Sequence, residues 1–233
     1  MLDLFISFFT LTIMELVLGI DNIIFISLVT ENMKQEERKR GRRVGLTLAL
    51  VLRIILLMSI NWLIHFDDAL FTLFNHSFSG RDLILLSGGI FLIYKTTIEI
   101  HEKVEKDEHS HKTKAKALSF AGAVFQIAML DLVFSFDSIL TAVGLVKNIE
   151  VMIAAVVASM ILMMLFSGQI ANFVNKHPTI KVLALSFLML IGVLLVAEAF
   201  HVHVEKAYVY FAMAFSFGVE LLNMRMRKKK STH

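Results

Sequence analysis

Apolar residues in this chain occur in long uninterrupted runs that alternate with short polar gaps, rather than along one face of amphipathic segments. Runs of about 18 or more apolar residues are typical of helices that span a membrane. The runs predict spans at about residues 4–30, 44–65, 82–100, 118–146, 150–173, 180–200 and 206–223. The expected fold is therefore an all-α membrane protein with seven transmembrane helices.

Basic residues lie mainly in every second gap between the runs. The first gap carries a dense cluster from Lys34 to Arg43, and the third gap, the fifth gap and the tail are also basic. The second, fourth and sixth gaps contain few Lys or Arg. Because cytoplasmic loops are enriched in these residues, the pattern places the N-terminus outside and the C-terminus in the cytoplasm. That arrangement requires an odd number of spans, which agrees with seven.

Composition narrows the class of protein further. Hydrophobic residues make up 57% of the chain and charged residues 18%, which excludes an ordinary soluble domain. The absence of Cys excludes disulfides and thiolate metal sites. The net charge of +3 is explained by the cytoplasmic loops, so no nucleic-acid binding is expected. The first run is interpreted as a helix in contact with the lipid bilayer, not as a removed signal peptide. No particular oligomeric state is predicted.

The first and fourth runs contain matching sequences. Glu15-Leu-Val-Leu-Gly-Ile-Asp21-Asn22 corresponds position by position to Asp131-Leu-Val-Phe-Ser-Phe-Asp137-Ser138, with an acid at each end of the six-residue spacing. The match indicates an internal repeat, which would fix the architecture of the whole chain.

A second match, between the third and sixth runs, extends the repeat. Gly89 is followed six residues later by Lys95, as Gly192 is followed by Glu198. Three spans per copy make the second copy inverted relative to the first, as in many transporters. The predicted organisation is a first repeat (1–100), a charged cytoplasmic loop (101–117), an inverted second repeat (118–204), and a seventh helix with a basic tail (205–233).

The acids of the first match carry the candidate chemistry. A carboxylate in the middle of a membrane helix costs about 2.5–3.5 kcal/mol, so four would cost ~10–14 kcal/mol if simply added. Arg53 and Lys95 are the candidate counter-ions at this depth. Most of the four charges therefore need a bound cation or a proton, and protonated carboxyls that merely pack helices are the structural alternative.

The spacing within each acidic pair predicts a broken helix. Six residues of an ideal helix separate two side chains by about 120° and 9 Å, which is too far for one ion. Unwinding at Gly19, and by analogy around Ser135, would bring the acids together and free backbone carbonyls. The first and fourth runs also exceed the about 20 residues of a simple crossing. A strongly tilted helix or a helix with an unwound segment explains this length, and Gly19 in the middle of the first run favours unwinding there.

The available ligands are oxygen atoms. Asn22 and Ser138 follow the second acid of each pair and add neutral oxygens. Such a set suits Mg²⁺, Ca²⁺ or Mn²⁺. Glu198 and Glu220 lie in later helices and are further candidates as ligands or proton carriers, while Glu198 could instead pair with Lys95.

The two acidic segments resemble the signatures of the TerC family of integral membrane proteins, and the resemblance covers essentially the whole chain. The family is named for tellurium resistance, and several members are implicated in manganese efflux. The resemblance implies a multi-pass protein of the cell membrane that exports Mn²⁺ as its substrate, with no resident cofactor and no enzymatic activity. It assigns the metal site to Glu15, Asp21, Asn22, Asp131, Asp137 and Ser138.

Export of a divalent cation needs an energy source. Against an inside-negative potential it costs about 4.6 kcal/mol per 100 mV, so exchange for protons is expected. Other functions remain open. The protein could export Ca²⁺ or a cationic amino acid instead, or it could be a membrane scaffold or assembly factor for secreted or stress-response proteins.

Overall fold

The computed structural model describes residues 2–59, 69–73, 76–105, 118–145, 148–202 and 204–230. Within these ranges the chain forms seven α-helices and one antiparallel β-hairpin. The helices are α1 (Leu2–Glu31), α2 (Gln35–Met58), α3 (Gly80–Glu105), α4 (Phe120–Leu145), α5 (Ile149–Lys176), α6 (Pro178–Ala199) and α7 (Lys206–Lys230). The strands are β1 (Ala69–Leu73) and β2 (His76–Ser79), with Leu73 opposite His76.

The predicted helical membrane fold is confirmed in outline. Five helices of the described ranges, α1, α3, α5, α6 and α7, are long and apolar enough to cross a membrane. In α4 the described apolar segment is Phe120–Phe136, and α2 begins with charged turns that contain Glu36 and Glu37. The chain therefore has the helices of a multi-pass membrane protein.

The structure adds two features to the sequence prediction. The second helix extends beyond the predicted span and begins at Gln35, because its charged first turns are helical although they are too polar for a membrane interior. The hairpin was not predicted, since its strands are short. Residues 60–65 of the predicted second span and residues 106–117 of the predicted charged loop lie outside the described ranges.

Hydrogen bonds fix the start of α3 at the end of the hairpin. The Ser79 N–H donates to Asp82 Oδ2 at 2.8 Å, and the Asp82 N–H donates to Ser79 Oγ at 3.2 Å. This reciprocal pattern is a capping box, which satisfies backbone donors that a helix N-terminus leaves free. It joins β2 directly to α3.

The helices sort into two compact units. The first unit comprises Met1–Ile84 and His111–Phe173, and so contains α1, α2, the hairpin, α4 and most of α5. The second unit comprises Leu85–Ser110 and Val174–His233, and so contains most of α3 together with α6 and α7. Each predicted repeat thus contributes helices to both units. The repeat boundaries themselves stay a prediction.

In the first unit, α4 packs closely against α2, and α1 packs against both. A glycine permits the approach of α2 to α4, because a Cβ added at Gly45 would lie 2.9 Å from Ile127 Cγ2. Completely buried side chains, including Ile26, Leu46 and Phe136, fill the space between the three helices.

In the second unit, α3 and α6 cross at two glycines. A Cβ added at Gly89 would lie 2.8 Å from the Gly192 carbonyl oxygen, and one added at Gly192 would lie 3.1 Å from the Gly89 carbonyl oxygen. Gly89 also approaches Val196, whereas Gly192 approaches Ile93. The earlier residue of α3, Gly89, meets the later residue of α6, Val196, and the later Ile93 meets the earlier Gly192. The two helices therefore run antiparallel.

The predicted unwinding is wrong, because both α1 and α4 are continuous helices through the acidic segments. Gly19 is buried, and a Cβ there would lie 2.4 Å from Met163 Sδ of α5. Its missing side chain therefore serves close packing of α1 against α5, not a break. Ser135 stays helical and directs its hydroxyl to the Asp131 carboxylate at 3.1 Å.

Candidate cation site

Three charged side chains meet in the interior of the first unit. Arg53 of α2, Glu15 of α1 and Asp131 of α4 are exposed by only 3%, 4% and 4%. Arg53 Nη1 lies 2.5 Å from Glu15 Oε2, and Arg53 Nη2 lies 2.9 Å from Asp131 Oδ1. Arg53 Nε also donates to Asp131 Oδ2 at 3.3 Å. We refer to these three residues as the charged triad.

The helical repeat explains why Arg53 lies inside. Leu46, Ala49, Arg53 and Leu57 recur at intervals of three or four residues, which places them on one face of α2, and all four are buried. The apolar face that packs α2 against its neighbours thus carries a single guanidinium into the interior. A buried charge of this kind is tolerated only with partners, which the two carboxylates provide.

Polar residues at matched positions lie beside the acids on both helices. Asn22 of α1 donates from Nδ2 to Asp131 Oδ1 at 3.4 Å, whereas the Ser138 hydroxyl of α4 donates to the Ser135 carbonyl oxygen of its own helix at 3.3 Å. Each polar residue is seven positions after the acid of its own helix. Seven residues make almost two full turns, so the acid and the polar residue share a face.

The two carboxyl groups accept hydrogen bonds from different numbers of donors. Asp131 Oδ1 accepts from Arg53 and Asn22, and Asp131 Oδ2 accepts from Arg53 and Ser135. Glu15 accepts from Arg53. When both carboxyls are ionised, one guanidinium leaves the triad with one net negative charge.

The other two acids of the repeat occupy a different part of their helices. Asp21 and Asp137 are within α1 and α4, but their side chains lie outside the described part of the chain. Among the side chains that the structure describes, no three His, Asp or Glu residues are grouped as a metal site would require.

The remaining candidates lie in the second unit. Lys95 Nζ is 3.4 Å from Glu99 Oε1, one helical turn further along α3, and Glu99 is buried together with Thr96. Sequence reasoning did not single out Glu99, although its position four residues after Lys95 was a usable signal. Glu220 accepts a hydrogen bond from Asn223 at 3.5 Å. The pairing of Lys95 with Glu198 stays a prediction.

A small cavity adjoins the triad at Glu15. It has room for about one water molecule. Its other lining residues are apolar, namely Leu11, Leu57, Ile139, Met152, Ala155 and Val156. The Glu15 carboxyl is thus next to free space that apolar side chains otherwise surround.

Comparisons with known proteins identify relatives along the whole chain. The family model of the "Integral membrane protein TerC family" matches residues 2–232. A "UPF0053 protein" of Haemophilus influenzae is 47% identical over 226 residues, which are 97% of this chain and 95% of that protein. The "UPF0053 inner membrane protein YgdQ" of Escherichia coli K12 is 50% identical over 220 residues, covering 94% and 92%.

A longer relative shows that a related sequence also occurs as part of a larger protein. The "UPF0053 inner membrane protein YoaE" of Escherichia coli K12 is 46% identical over 224 residues, which are 96% of this chain but 43% of that protein. No solved structure matches the chain.

Proposed function

Because this chain belongs to the TerC family of integral membrane proteins, as its acidic segments predicted, we propose that it is a secondary transporter that exports divalent metal cations, Mn²⁺ in particular. It is a multi-pass protein of the cell membrane. The observation that supports the proposal best is the charged triad. Two carboxyl groups from matched positions of the chain share one arginine in the interior, and when both are ionised they carry more negative charge than it balances.

The proposed ion site is centred on Glu15 and Asp131. Their carboxylate oxygens, with the side-chain oxygens of Asn22 and Ser138, form the hard oxygen environment that Mn²⁺, Mg²⁺ and Ca²⁺ prefer. The preference for Mn²⁺ comes from the family resemblance. Asp21 and Asp137, whose side chains lie outside the described part of the chain, stay candidate ligands of the ion. We propose that they contribute to the same site or to the path by which the ion approaches or leaves the central pair.

We further propose that the two three-helix repeats are inverted copies. A two-fold axis in the membrane plane would pair equivalent residues reciprocally. Two sets of contacts support this idea. In the first unit, Asn22 of α1 bonds to Asp131 of α4, while the earlier Leu11 of α1 lines a cavity together with the later Ile139 of α4, so these two helices run antiparallel. In the second unit, the contact of Gly89 with Gly192 is reciprocal.

The proposed orientation has the N-terminus outside and the C-terminus in the cytoplasm, from the distribution of basic residues. The start of α1, the end of α2, the end of α4 and the start of α5 then face outward. Leu11, Leu57, Ile139 and Met152 come from these four ends and line the cavity beside Glu15. The cavity therefore lies on the outer side of the triad, where an exported ion would be released.

Coupling to protons supplies the energy for export. Moving a divalent cation outward costs about 4.6 kcal/mol per 100 mV, so passive flow would run inward. We propose that inward-moving protons compete with the metal for the carboxylates, and that alternate exposure of the site to the two sides completes the exchange.

Transport into proteoliposomes tests the proposed site. Glu15→Gln and Asp131→Asn should each abolish uptake of Mn²⁺ driven by a pH gradient. Each variant replaces a charged carboxylate ligand by a neutral amide of similar shape. Glu150→Gln, the same chemical change at an exposed position of α5, is the matched control and should transport normally. Normal transport by both site variants would disprove the site.

Ligand-dependent thermal stability of the purified protein separates the competing functions. Stabilisation by Mn²⁺ that is lost in Asp131→Asn supports the metal site. Stabilisation by lysine alone indicates an exporter of cationic amino acids, and stabilisation by Ca²⁺ but not Mn²⁺ indicates a different metal. A folded protein that responds to none of these ligands is a scaffold or assembly factor, and the transport proposal would then be wrong.

A further inference from the structure

The position of Arg53 has a consequence for how the proposed site is used. We propose that the Arg53 guanidinium is an internal substitute for the transported cation: it occupies the Glu15 and Asp131 carboxylates when no substrate is bound, and the substrate binds only after the guanidinium has withdrawn. This inference rests on the proposed function, and it concerns the regulation of the same site.

The geometry makes occupation by Arg53 and by a metal mutually exclusive. Arg53 directs donors to one carboxylate oxygen of Glu15 and to both of Asp131, at 2.5–3.3 Å. A divalent cation such as Ca²⁺ binds carboxylate oxygens at about 2.3–2.6 Å. An ion shared by the two acids would therefore occupy the volume in which the guanidinium nitrogens lie. One of the two cations must leave before the other can bind.

The chemistry of arginine prevents any simpler exchange. A lysine could lose its proton and become neutral in place, but a guanidinium remains charged in proteins. Its positive charge can therefore leave the carboxylates only when the side chain itself moves. Arginine is unbranched and long, and it belongs to α2, whereas both acids belong to other helices. A change of side-chain conformation or a shift of α2 would withdraw it.

Occupation of the two carboxylates by Arg53 also explains how a transporter without substrate excludes other ions from its site. With Arg53 in place, both buried acids have a partner without a proton or a foreign cation. The apparent affinity for substrate then equals the intrinsic affinity multiplied by the fraction of molecules in which Arg53 has withdrawn. Removing the guanidinium should strengthen metal binding, which is the opposite of what loss of a purely structural ion pair would do.

Equilibrium binding of Mn²⁺ to the purified full-length protein tests the inference. Arg53→Gln should bind Mn²⁺ at least about tenfold more tightly than the wild type, because loss of even one competing charge-assisted hydrogen bond changes an equilibrium constant by that factor. Arg42→Gln changes a half-buried arginine of the same helix outside the triad and is the matched control. Its affinity should equal that of the wild type.

A second variant covers the case in which Arg53→Gln does not fold. Arg53→Lys keeps the positive charge but loses the planar group that spans both carboxylates, so it competes less well. It should bind Mn²⁺ more tightly than the wild type and less tightly than Arg53→Gln. The inference is overturned if the folded Arg53 variants bind Mn²⁺ as weakly as the wild type or more weakly. If neither the wild type nor these variants bind Mn²⁺, Ca²⁺ or Mg²⁺, the proposed function fails as well.

Discussion

Replacement of Gly89 by alanine should destabilise the second unit through a collision of helix backbones. The added Cβ would lie 2.8 Å from the Gly192 carbonyl oxygen and 3.0 Å from the Val196 nitrogen. Ordinary contact begins at 3.4 Å, so α3 and α6 must separate by about 0.6 Å at this point. Overpacking of this kind costs about 1–3 kcal/mol. Both atoms belong to the backbone, so a side-chain rotation cannot relieve the contact.

Gly218→Ala provides a matched control in the same unit. No atom lies within 4 Å of a Cβ added at Gly218 in α7, so this variant changes only helix propensity, by about 1 kcal/mol in favour of alanine. Gly89→Ala gains the same amount in helix propensity. The difference in stability between the two variants therefore isolates the packing cost, and it should be about 1–3 kcal/mol.

The assay is reversible unfolding in mixed micelles with increasing SDS, followed by circular dichroism at helical wavelengths. The midpoint should be lower for Gly89→Ala than for Gly218→Ala, and Gly192→Ala should resemble Gly89→Ala because the contact is reciprocal. Equal midpoints for Gly89→Ala and Gly218→Ala would show that α3 and α6 do not approach as described. That outcome would also remove one of the two supports for inverted repeats.

Three further predictions concern other parts of the molecule. Gly19→Ala should cost less than Gly89→Ala in the same unfolding assay, because its neighbour is the flexible end of Met163 rather than a backbone; an equal or larger cost would contradict this. Asp82→Ala should lower stability by about 1 kcal/mol through loss of the capping box, and an unchanged midpoint would show that the cap contributes nothing. Because the chain has no Cys, single cysteines report orientation cleanly: Val202→Cys should react with an impermeant maleimide in intact cells and Ser231→Cys only after permeabilisation, and the reverse pattern would refute the proposed topology.

The sequence predicted the helices well because their physical signal is strong. Long apolar runs separated by charged gaps can be satisfied in a membrane only by helices. The apolar run did not mark the start of α2, where Glu36 and Glu37 belong to the helix before the apolar residues begin. Hydropathy reports where a helix can enter the membrane, whereas backbone hydrogen bonds determine where the helix begins.

The triad could be anticipated only in part. Sequence reasoning identified Glu15 and Asp131 as costly charges and Arg53 as a candidate counter-ion, but it could not determine that one guanidinium joins both acids. That arrangement depends on the crossing of α1 and α4, which brings together residues more than 100 positions apart. The unwinding inferred at Gly19 failed for a similar reason, since its packing partner Met163 belongs to a distant helix.

The order of the triad along the chain has a consequence for biosynthesis. Glu15 precedes Arg53 by 38 residues, whereas Asp131 follows Arg53 by 78. The first two helices therefore reach the membrane as a hairpin whose opposite charges can pair with each other during insertion. Asp131 arrives later and meets a guanidinium that is already in place. A nascent chain that lacks Arg53 has to insert Glu15 without this partner, so we expect Arg53→Gln to give a lower yield of membrane-inserted protein than the wild type.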